Sequence, residues 1–512
     1  MANWSKFLAF ALLVGTAGTP AQAAWHEAKS KHFVILGDAR EGEIRRFAER
    51  LERIDQAVRF IRKLDDPPLT DSNKLTIFML TDQESIAKLA GSKLVAGFYI
   101  PRVTGAVAFV PRLAGSAEWE LSSESIFIHE YAHHLQLQDT SVALPEWLVE
   151  GFAEFFSSAK VRPDGSVDIG LPPQHRGFTL LNTAIDMPVE KLIVGRSRSG
   201  DAEQMDLFYG RSWTLYHYLI LRQDRAGQLR RYVAGLHSGQ APLVAARNAF
   251  GDLTKLNREL SQYIRTSVPG QRVHANVLTV GDIQTRPLRP GEAAIMNVRI
   301  RSTRGVDEKT AATVAADARR IAASYPSEPA VQVALAEAEF DTKNYNAAEA
   351  AADRALAADP RNVQAMIYKG RSLAEQAEAS EQAPNWASIR SWYMRANKVD
   401  VEAPEPLYRY YETFLREGAK PPKDAVDALL YSAVLVPQDR SLRWAAVQQL
   451  LIDNKMAQAR EWFAPLAYDP HASTKSRETA DKIMDAMAKG ERKAVLDLLE
   501  KHSGEEEEPK GS

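Results

Sequence analysis

The stretch Ser125–Phe156, "SIFIHEYAHHLQLQDTSVALPEWLVEGFAEFF", decides the fold of the surrounding domain and raises a chemical question. It is strongly apolar, yet it carries two histidines four residues apart and then two glutamates four residues apart. On a helix, residues i and i+4 lie on one face. A buried polar group without a partner costs roughly 1–3 kcal/mol, so the stretch predicts a common partner for both pairs.

The first pair, His129 and His133, frames the pattern His-Glu-x-x-His. Two imidazoles about 6 Å apart on one helix face can reach a single ion at the ~2.0–2.1 Å of a zinc–nitrogen bond. Glu130 lies about 100° around the helix, where it is poorly placed as a ligand but well placed to hold a water molecule. His134 points away from this face. The alternative is that both histidines are structural residues of a core helix.

The second pair lies on the helix predicted at Pro145–Ser158, which begins with proline. Past its first turn, Glu150 and Glu154 are the only charged residues. Glu150 is the expected third ligand, and Glu154 is the expected hydrogen-bond acceptor for the far nitrogen of His129. Two imidazoles, one carboxylate and an open fourth position are typical of catalytic zinc. The alternative is that both glutamates are solvated.

Together, "HEYAHH" and "WLVEGFAEFF" resemble the motifs of the gluzincin metallopeptidases, the thermolysin and M1 aminopeptidase type. The resemblance covers about half of the chain and implies an α+β zincin-like fold. It implies one Zn²⁺ per chain, bound by His129, His133 and Glu150. Glu130 would be the general base, and peptide or protein would be the substrate.

The same resemblance implies two further parts of a substrate cleft. An edge strand upstream of the metal helix would pair with the substrate backbone, and the residues at that position are Ala106, Val107, Ala108 and Phe109. A donor to the oxyanion is expected on the predicted helix Gln204–Arg222. Tyr209 is the nominated donor, with His217 as an alternative. The Gly-Ala-Met-Glu-Asn signature of the aminopeptidases is absent, so cleavage inside or at the end of a substrate stays open.

The segments before the motif predict mixed strands and helices. "HFVIL" (His32–Leu36) and "KLTIFML" (Lys74–Leu80) read as strands. Glu43–Leu64 reads as an amphipathic helix, and Gly97–Arg102 with Ala106–Arg112 as a hairpin. These segments support an α+β domain.

The C-terminal part is alanine-rich and predicts an all-α helical solenoid. Pro326 and Pro360 lie 34 residues apart, with Glu328 and Asn362 in matching positions. That period is typical of tetratricopeptide repeats, and the resemblance implies a surface for a protein partner. The alternative is a generic helical array. The predicted divisions are a signal peptide (1–23), a zincin-like domain (24–267), a connector (268–305), repeats (306–500) and a disordered acidic tail (501–512).

Composition narrows the function classes. The net charge of −2 over 512 residues gives no indication of nucleic-acid binding. Lys6, the apolar run Phe7–Val14 and the sequence Ala21-Gln22-Ala23 predict a secretory signal peptide. The run is too short to span a bilayer, and no later segment predicts a stable membrane span. The absence of cysteine from an exported chain favours the bacterial periplasm.

Three functions remain open on the sequence. The first is an exported zinc metallopeptidase whose repeats recruit a partner or substrate. The second is a periplasmic adaptor in which the repeats bind a partner and the zincin domain is inactive. The third is a structural protein without metal. Every predicted ligand and the predicted base are present, which favours the first.

Overall fold

The computed structural model describes residues 25–506 except 93–94, 96, 113–121, 139–143, 183–186, 196–200, 267 and 468–473. The expected signal peptide therefore lies outside the described residues. None of the helices within these ranges has the length and apolar character needed to cross a membrane.

A six-stranded mixed sheet organises the N-terminal part. The described strands are β1 (Trp25–Lys29), β2 (Phe33–Asp38), β3 (Leu75–Leu80), β4 (Phe98–Ile100), β5 (Val107–Pro111), β6 (Lys160–Val161), β7 (Val167–Ile169), β8 (Gln271–Val273) and β9 (Gln284–Pro287). The order in the large sheet is β4-β5-β3-β2-β1-β9, and β6-β7-β8 form a small second sheet. Strands β2, β3 and β5 run parallel, whereas β4, β1 and β9 are antiparallel to their neighbours. The two predicted strands and the predicted hairpin are confirmed.

Helices cover the sheet and then continue alone. Those of the N-terminal part are α1 (Glu41–Arg62), α2 (Gln83–Ala90), α3 (Ser123–Gln138), α4 (Glu146–Ser157), α5 (Gly177–Leu181), α6 (Val189–Val194), α7 (Ala202–Leu221), α8 (Gln228–His237), α9 (Pro242–Phe250) and α10 (Leu253–Tyr263). Those of the C-terminal part are α11 (Pro290–Arg304), α12 (Glu308–Ser324), α13 (Pro329–Asp341), α14 (Tyr345–Ala358), α15 (Val363–Ala379), α16 (Trp386–Val399), α17 (Pro404–Arg416), α18 (Lys423–Leu435), α19 (Arg440–Ile452), α20 (Met456–Ala467), α21 (Thr474–Lys489) and α22 (Arg492–Glu506).

One core joins the sheet to the two helices of the opening stretch. Helix α1 buries Ile44, Ala48 and Leu51, spaced three or four residues apart, against one face of the sheet. Phe127 of α3 and Phe152 of α4 belong to the same core. The motif helices therefore lie on a rigid support, as the apolar residues around each motif predict.

The C-terminal helices form an array in which successive helices pack against each other. Helices α13 and α15 begin 34 residues apart, at Pro329 and Val363, which matches the predicted repeat. The small residues Ala336 on α13 and Ala348 and Ala355 on α14 are fully buried. The helical solenoid predicted for this region is confirmed in its all-α form.

Two predicted divisions are corrected. Residues 268–305 are not a separate connector, because β8 pairs with β7 and β9 pairs with β1. Helix α11 packs against α12 and α13 and so begins the array. The last described helix continues to Glu506, so the expected disordered tail from residue 501 is wrong for its first residues.

The array packs back onto the sheet domain, close to the opening stretch. The side-chain amide of Gln438 donates a hydrogen bond of 3.0 Å to the carbonyl of His134, at the end of α3. Arg477 lies 3.4 Å from Glu146, at the start of α4. Val103, in the turn between β4 and β5, packs against the apolar cluster of α17–α19. The array therefore contacts α3, α4 and the turn between β4 and β5 within the same chain.

Candidate metal centre

Helices α3 and α4 pack side by side, and α4 packs in turn on α7. Gly151 of α4 makes the second contact possible. A Cβ atom at this position would lie 2.5 Å from the carbonyl oxygen of Ser212, too close for any other residue. The glycine within "WLVEGF" therefore brings α7, with Tyr209, close to the carboxylate of Glu150.

Three ligand atoms from α3 and α4 converge on one point. The Nε2 atoms of His129 and His133 are 3.1 Å apart. The Oε2 atom of Glu150 lies 3.3 Å from Nε2 of His129 and 3.8 Å from Nε2 of His133. Donors at ~2.0–2.1 Å around a tetrahedral zinc ion lie about 3.3–3.4 Å from each other. The donor types and their spacing both fit zinc, and the three residues form a candidate metal-binding group.

The carboxylate of Glu150 supports this interpretation independently. The residue is fully buried, and neither carboxylate oxygen has a well-formed hydrogen bond in the described part of the chain, although Nε2 of His129 lies 3.3 Å from Oε2. Burying a charge without a compensating partner is strongly unfavourable. Burial lowers the pKa of His129, but the nearby carboxylates, Glu150 first, outweigh burial and raise it to about 9. The centre therefore attracts positive charge.

Glu154 lies beside the ring nitrogen of His129 that is not directed at Glu150. Its Oε1 atom is 3.4 Å from Nδ1 of His129, which is the position expected for a carboxylate that orients a ligand histidine. Arg176 donates to both oxygens of Glu154, at 2.6 and 3.1 Å, and to Asp206 at 2.5 Å. Burial raises the pKa of Glu154, but the charge of Arg176 outweighs this and lowers it. Glu154 is therefore anionic at neutral pH.

Arg176 is a residue of the centre that sequence reasoning missed. It lies between a short 3₁₀ turn and α5, where neither helical nor strand period marks it. Besides binding Glu154, its guanidinium lies 4.8 Å from the ring centre of Tyr209. Arg176 thus connects the carboxylate behind His129 with the nominated oxyanion donor.

Tyr209 lies beside the centre, with its ring centre 6.2 Å from that of His129. Burial and the charges of Glu150 and Glu146 raise its pKa well above the usual value, so the hydroxyl keeps its proton at neutral pH. His217, the alternative donor, is fully buried elsewhere. Its Nε2 atom is 3.1 Å from the carbonyl of Pro269, so it is not part of the centre.

Glu130 is half-buried on α3, and its charge acts on Tyr99 of β4. Burial, Glu130 and Asp439, in that order, raise the pKa of Tyr99 on β4. The Tyr99 hydroxyl is 2.8 Å from Nδ1 of His134. His134, which helical spacing places off the face of the two ligand histidines, therefore connects α3 with β4.

The predicted substrate edge strand is wrong. Val107, Ala108 and Phe109 lie on β5, which pairs with β3 on one side and β4 on the other. The carbonyl of Ala106, just before β5, accepts a hydrogen bond from Thr76 on β3. Within the described residues, β4 (Phe98–Ile100) is the outermost strand on this side of the sheet. On this side of the described sheet, a substrate strand would therefore add to β4 and not to β5.

Comparisons with known proteins give matches among solved structures only. No family model matches the sequence, and no curated protein matches it. A solved structure of Pseudomonas aeruginosa pilF is 17% identical, with a TM-score of 0.32, and the match covers 41% of this chain and 88% of that chain. Yeast Tom70 is 13% identical, with a TM-score of 0.26, and the match covers 64% of this chain and 72% of that chain. Similarity this low carries no argument about fold or function.

Proposed function

We propose that the chain is an exported zinc-dependent peptidase of the gluzincin type. One observation carries the proposal. His129, His133 and Glu150 bring three zinc-type donor atoms within 3.1–3.8 Å of each other, and Glu150 is fully buried. Such a group with one open position is typical of catalytic zinc.

The roles proposed for the chain's own residues rest on the resemblance to gluzincins together with their positions. When bound, zinc would polarise the scissile carbonyl and lower the pKa of a water molecule toward ~7. The carboxylate of Glu130 accepts a proton from the attacking water and delivers it to the leaving nitrogen of the peptide. The hydroxyl of Tyr209 donates a hydrogen bond to the substrate oxyanion. Glu154 and Arg176 hold His129 in one orientation.

The substrate backbone is proposed to pair with β4 by strand addition. Strand β4 is outermost in the described part of the sheet and carries Tyr99, close to Glu130 and His134. The proposal commits to a peptide substrate in extended form and leaves side-chain selectivity open. Export also stays a prediction.

Metal analysis of the purified full chain tests the proposal. We expect about one zinc per chain and hydrolysis of a mixed fluorogenic peptide library. Removing zinc with a chelator should abolish hydrolysis, and adding zinc back should restore it. The proposal would be refuted by a folded chain that holds no zinc, or by hydrolysis that is indifferent to the chelator.

Replacing Tyr209 with phenylalanine tests the oxyanion donor. The variant should keep its zinc but lose roughly 10²–10³-fold in kcat, the usual effect of removing one such donor. Tyr216→Phe is a matched control, because Tyr216 lies on the same helix and packs against Phe155 with its ring. Unchanged kcat in Tyr209→Phe would remove Tyr209 from the mechanism.

A second candidate function is that of a protein-binding scaffold, and the array favours it. Helices α17–α19 expose large apolar side chains, namely Leu415 (50%), Tyr431 (44%), Val434 (58%) and Ile452 (52%). A partner that buries these residues would give the array a role independent of catalysis. If the scaffold function holds alone, partner binding should persist in a chain without zinc, and hydrolysis should be absent from the wild type.

A further inference from the structure

A second cluster of buried ionic residues lies on α1, beneath the metal helix. Glu52, Asp55 and Arg59 are spaced three and four residues apart, so they lie on one face of α1. Their exposures are only 1, 0 and 8%. His32, 3% exposed, lies just before β2 and completes the cluster. Burying four ionisable groups together requires extensive pairing.

The pairing is nearly complete. Nδ1 of His32 is 2.7 Å from Glu52, and Nε2 is 2.9 Å from Asp66. Arg59 donates from Nε to both oxygens of Asp55, at 3.0 and 2.8 Å. The carboxylates beside His129 lie 3.3 and 3.4 Å from its ring nitrogens, whereas both ring nitrogens of His32 make short hydrogen bonds to carboxylates, and so both carry protons. His32 is therefore a cation in this cluster.

This cluster is not a second metal centre, although His32, Glu52 and Asp55 are close enough to hold an ion. A histidine ligand must present an unprotonated nitrogen to the metal, and neither nitrogen of His32 is available. The guanidinium of Arg59 already neutralises Asp55. Protein cations thus occupy the positions that a metal would need.

One contact joins this cluster to the metal helix. The hydroxyl of Tyr131, on α3, donates a hydrogen bond of 2.6 Å to Oδ1 of Asp55. Tyr131 is two residues from both His129 and His133. At about 100° per residue, it points about 180° from the direction midway between the two histidines. A bond at this position opposes rotation of α3 about its own axis.

We propose that Tyr131 and Asp55 are positioning residues that set the rotation of α3 and so aim both histidines at Glu150. The inference rests on the proposed metal centre. Helix α3 has other polar contacts, from His134 to Tyr99 and from Glu124 to Arg50, and Tyr131 adds one on the side opposite the two histidines. Its ring packs against Phe33 and Phe127 without directional bonds. The Tyr131 hydroxyl is therefore the part that specifies an angle.

The test is Co²⁺ binding to the full chain, read by the visible absorption of the bound ion and by competition with a chelator. Tyr131→Phe keeps the ring and removes only the hydroxyl. We expect Co²⁺ affinity to fall by about 10-fold or more, by analogy with the loss of outer partners of metal ligands. The absorption spectrum should also change, because the ligand geometry is less uniform.

Tyr411→Phe is the matched control. Tyr411 is also buried, at 3% exposure, and its hydroxyl donates a bond of 2.8 Å to Gln449, so this bond joins α17 to α19 and involves neither α1 nor α3. It should lose comparable thermal stability but keep wild-type affinity and spectrum. If Tyr131→Phe fails to fold, Arg59→Lys replaces it in the test. This substitution weakens the hold on Asp55 without changing any residue of α3. We expect it to weaken Co²⁺ binding several-fold.

The outcomes distinguish the positioning role of Tyr131 from the proposed metal centre itself. Wild-type affinity and spectrum in Tyr131→Phe, or in Arg59→Lys where that variant carries the test, would overturn the positioning role alone. Equal loss in Tyr131→Phe and Tyr411→Phe would overturn it too, because general destabilisation would then explain both. A folded wild-type chain that binds no Co²⁺ would overturn this inference together with the proposed metal centre.

Discussion

Replacing Glu130 with glutamine is expected to lower peptide hydrolysis by about 10²–10⁴-fold, the usual contribution of a general base. Glutamine has nearly the same shape as glutamate and can hold a water molecule, but it cannot accept the proton. Glu130 is half-buried and is not one of the three converging ligands. The zinc content of the variant should therefore remain at the wild-type level.

The measurement is kcat/KM on a mixed peptide library together with zinc content per chain. Glu124→Gln is the matched control, because Glu124 lies on the same helix but pairs with Arg50, away from the metal face. The control should retain wild-type hydrolysis. Glu130→Gln with wild-type hydrolysis would show that another group accepts the proton, and loss of zinc would show that Glu130 holds the metal.

The local part of the candidate centre was predictable from the sequence. Helical spacing places His129 and His133 on one face, and the short interval to Pro145 favours a second helix that packs against the first. The apolar residues on both helices predict burial of Glu150, and the structure has it fully buried. These features depend on contacts between neighbours in sequence, which periodicity describes well.

The edge strand was predicted wrongly because strand order is not a local property. The sequence identifies a hairpin at β4 and β5, but it does not show which strand continues into the sheet. The parallel pairing of β5 with β3, in which Ala108 lies opposite Ile77, places β4 on the outside. The resemblance favours the strand that directly precedes the metal helix in the sequence, which is β5.

Contacts between distant segments were also beyond sequence reasoning. Arg176 contacts Glu154 across 22 residues that include β6 and β7. Gln438 contacts the carbonyl of His134 across 304 residues. Neither residue type is unusual at its position, since Arg and Gln are common on protein surfaces. Only folding brings them to the centre.

The packing of the array against the opening stretch changes the expected role of the repeats. A surface for an external partner was predicted, yet Val103 packs against the apolar cluster of α17–α19. The carboxylate of Asp439 also accepts a hydrogen bond from the backbone of Val103. Part of the array therefore braces the hairpin next to Glu130, and partner binding is left to its exposed apolar residues.

Replacing Glu150 with glutamine is expected to have the largest effect on metal binding. The amide keeps the size of the carboxylate but removes its charge, so the centre loses an anionic ligand 3.3 Å from Nε2 of His129. Loss of an outer partner lowers metal affinity by about 10–100-fold, and loss of a direct ligand should exceed this range. Hydrolysis should fall with zinc occupancy.

Glu154→Gln supplies the comparison, because Glu154 lies one turn further on the same helix and is equally buried, at 2% exposure. It is anionic and close to Nδ1 of His129, but it is paired with Arg176. Its replacement should weaken zinc binding within the 10–100-fold range expected for an outer partner. The expected order of zinc affinity is wild type, then Glu154→Gln, then Glu150→Gln.

Thermal unfolding measures the same ranking of zinc affinities without relying on hydrolysis. A ligand that binds only the folded chain stabilises it by about 2.7 kcal/mol at 100 times its Kd, so excess zinc should raise the Tm of the wild type. The rise should be smaller in Glu154→Gln and absent in Glu150→Gln. An equal rise in wild type and Glu150→Gln would mean that zinc binds elsewhere, and the convergence of α3 and α4 would then have no role in metal binding.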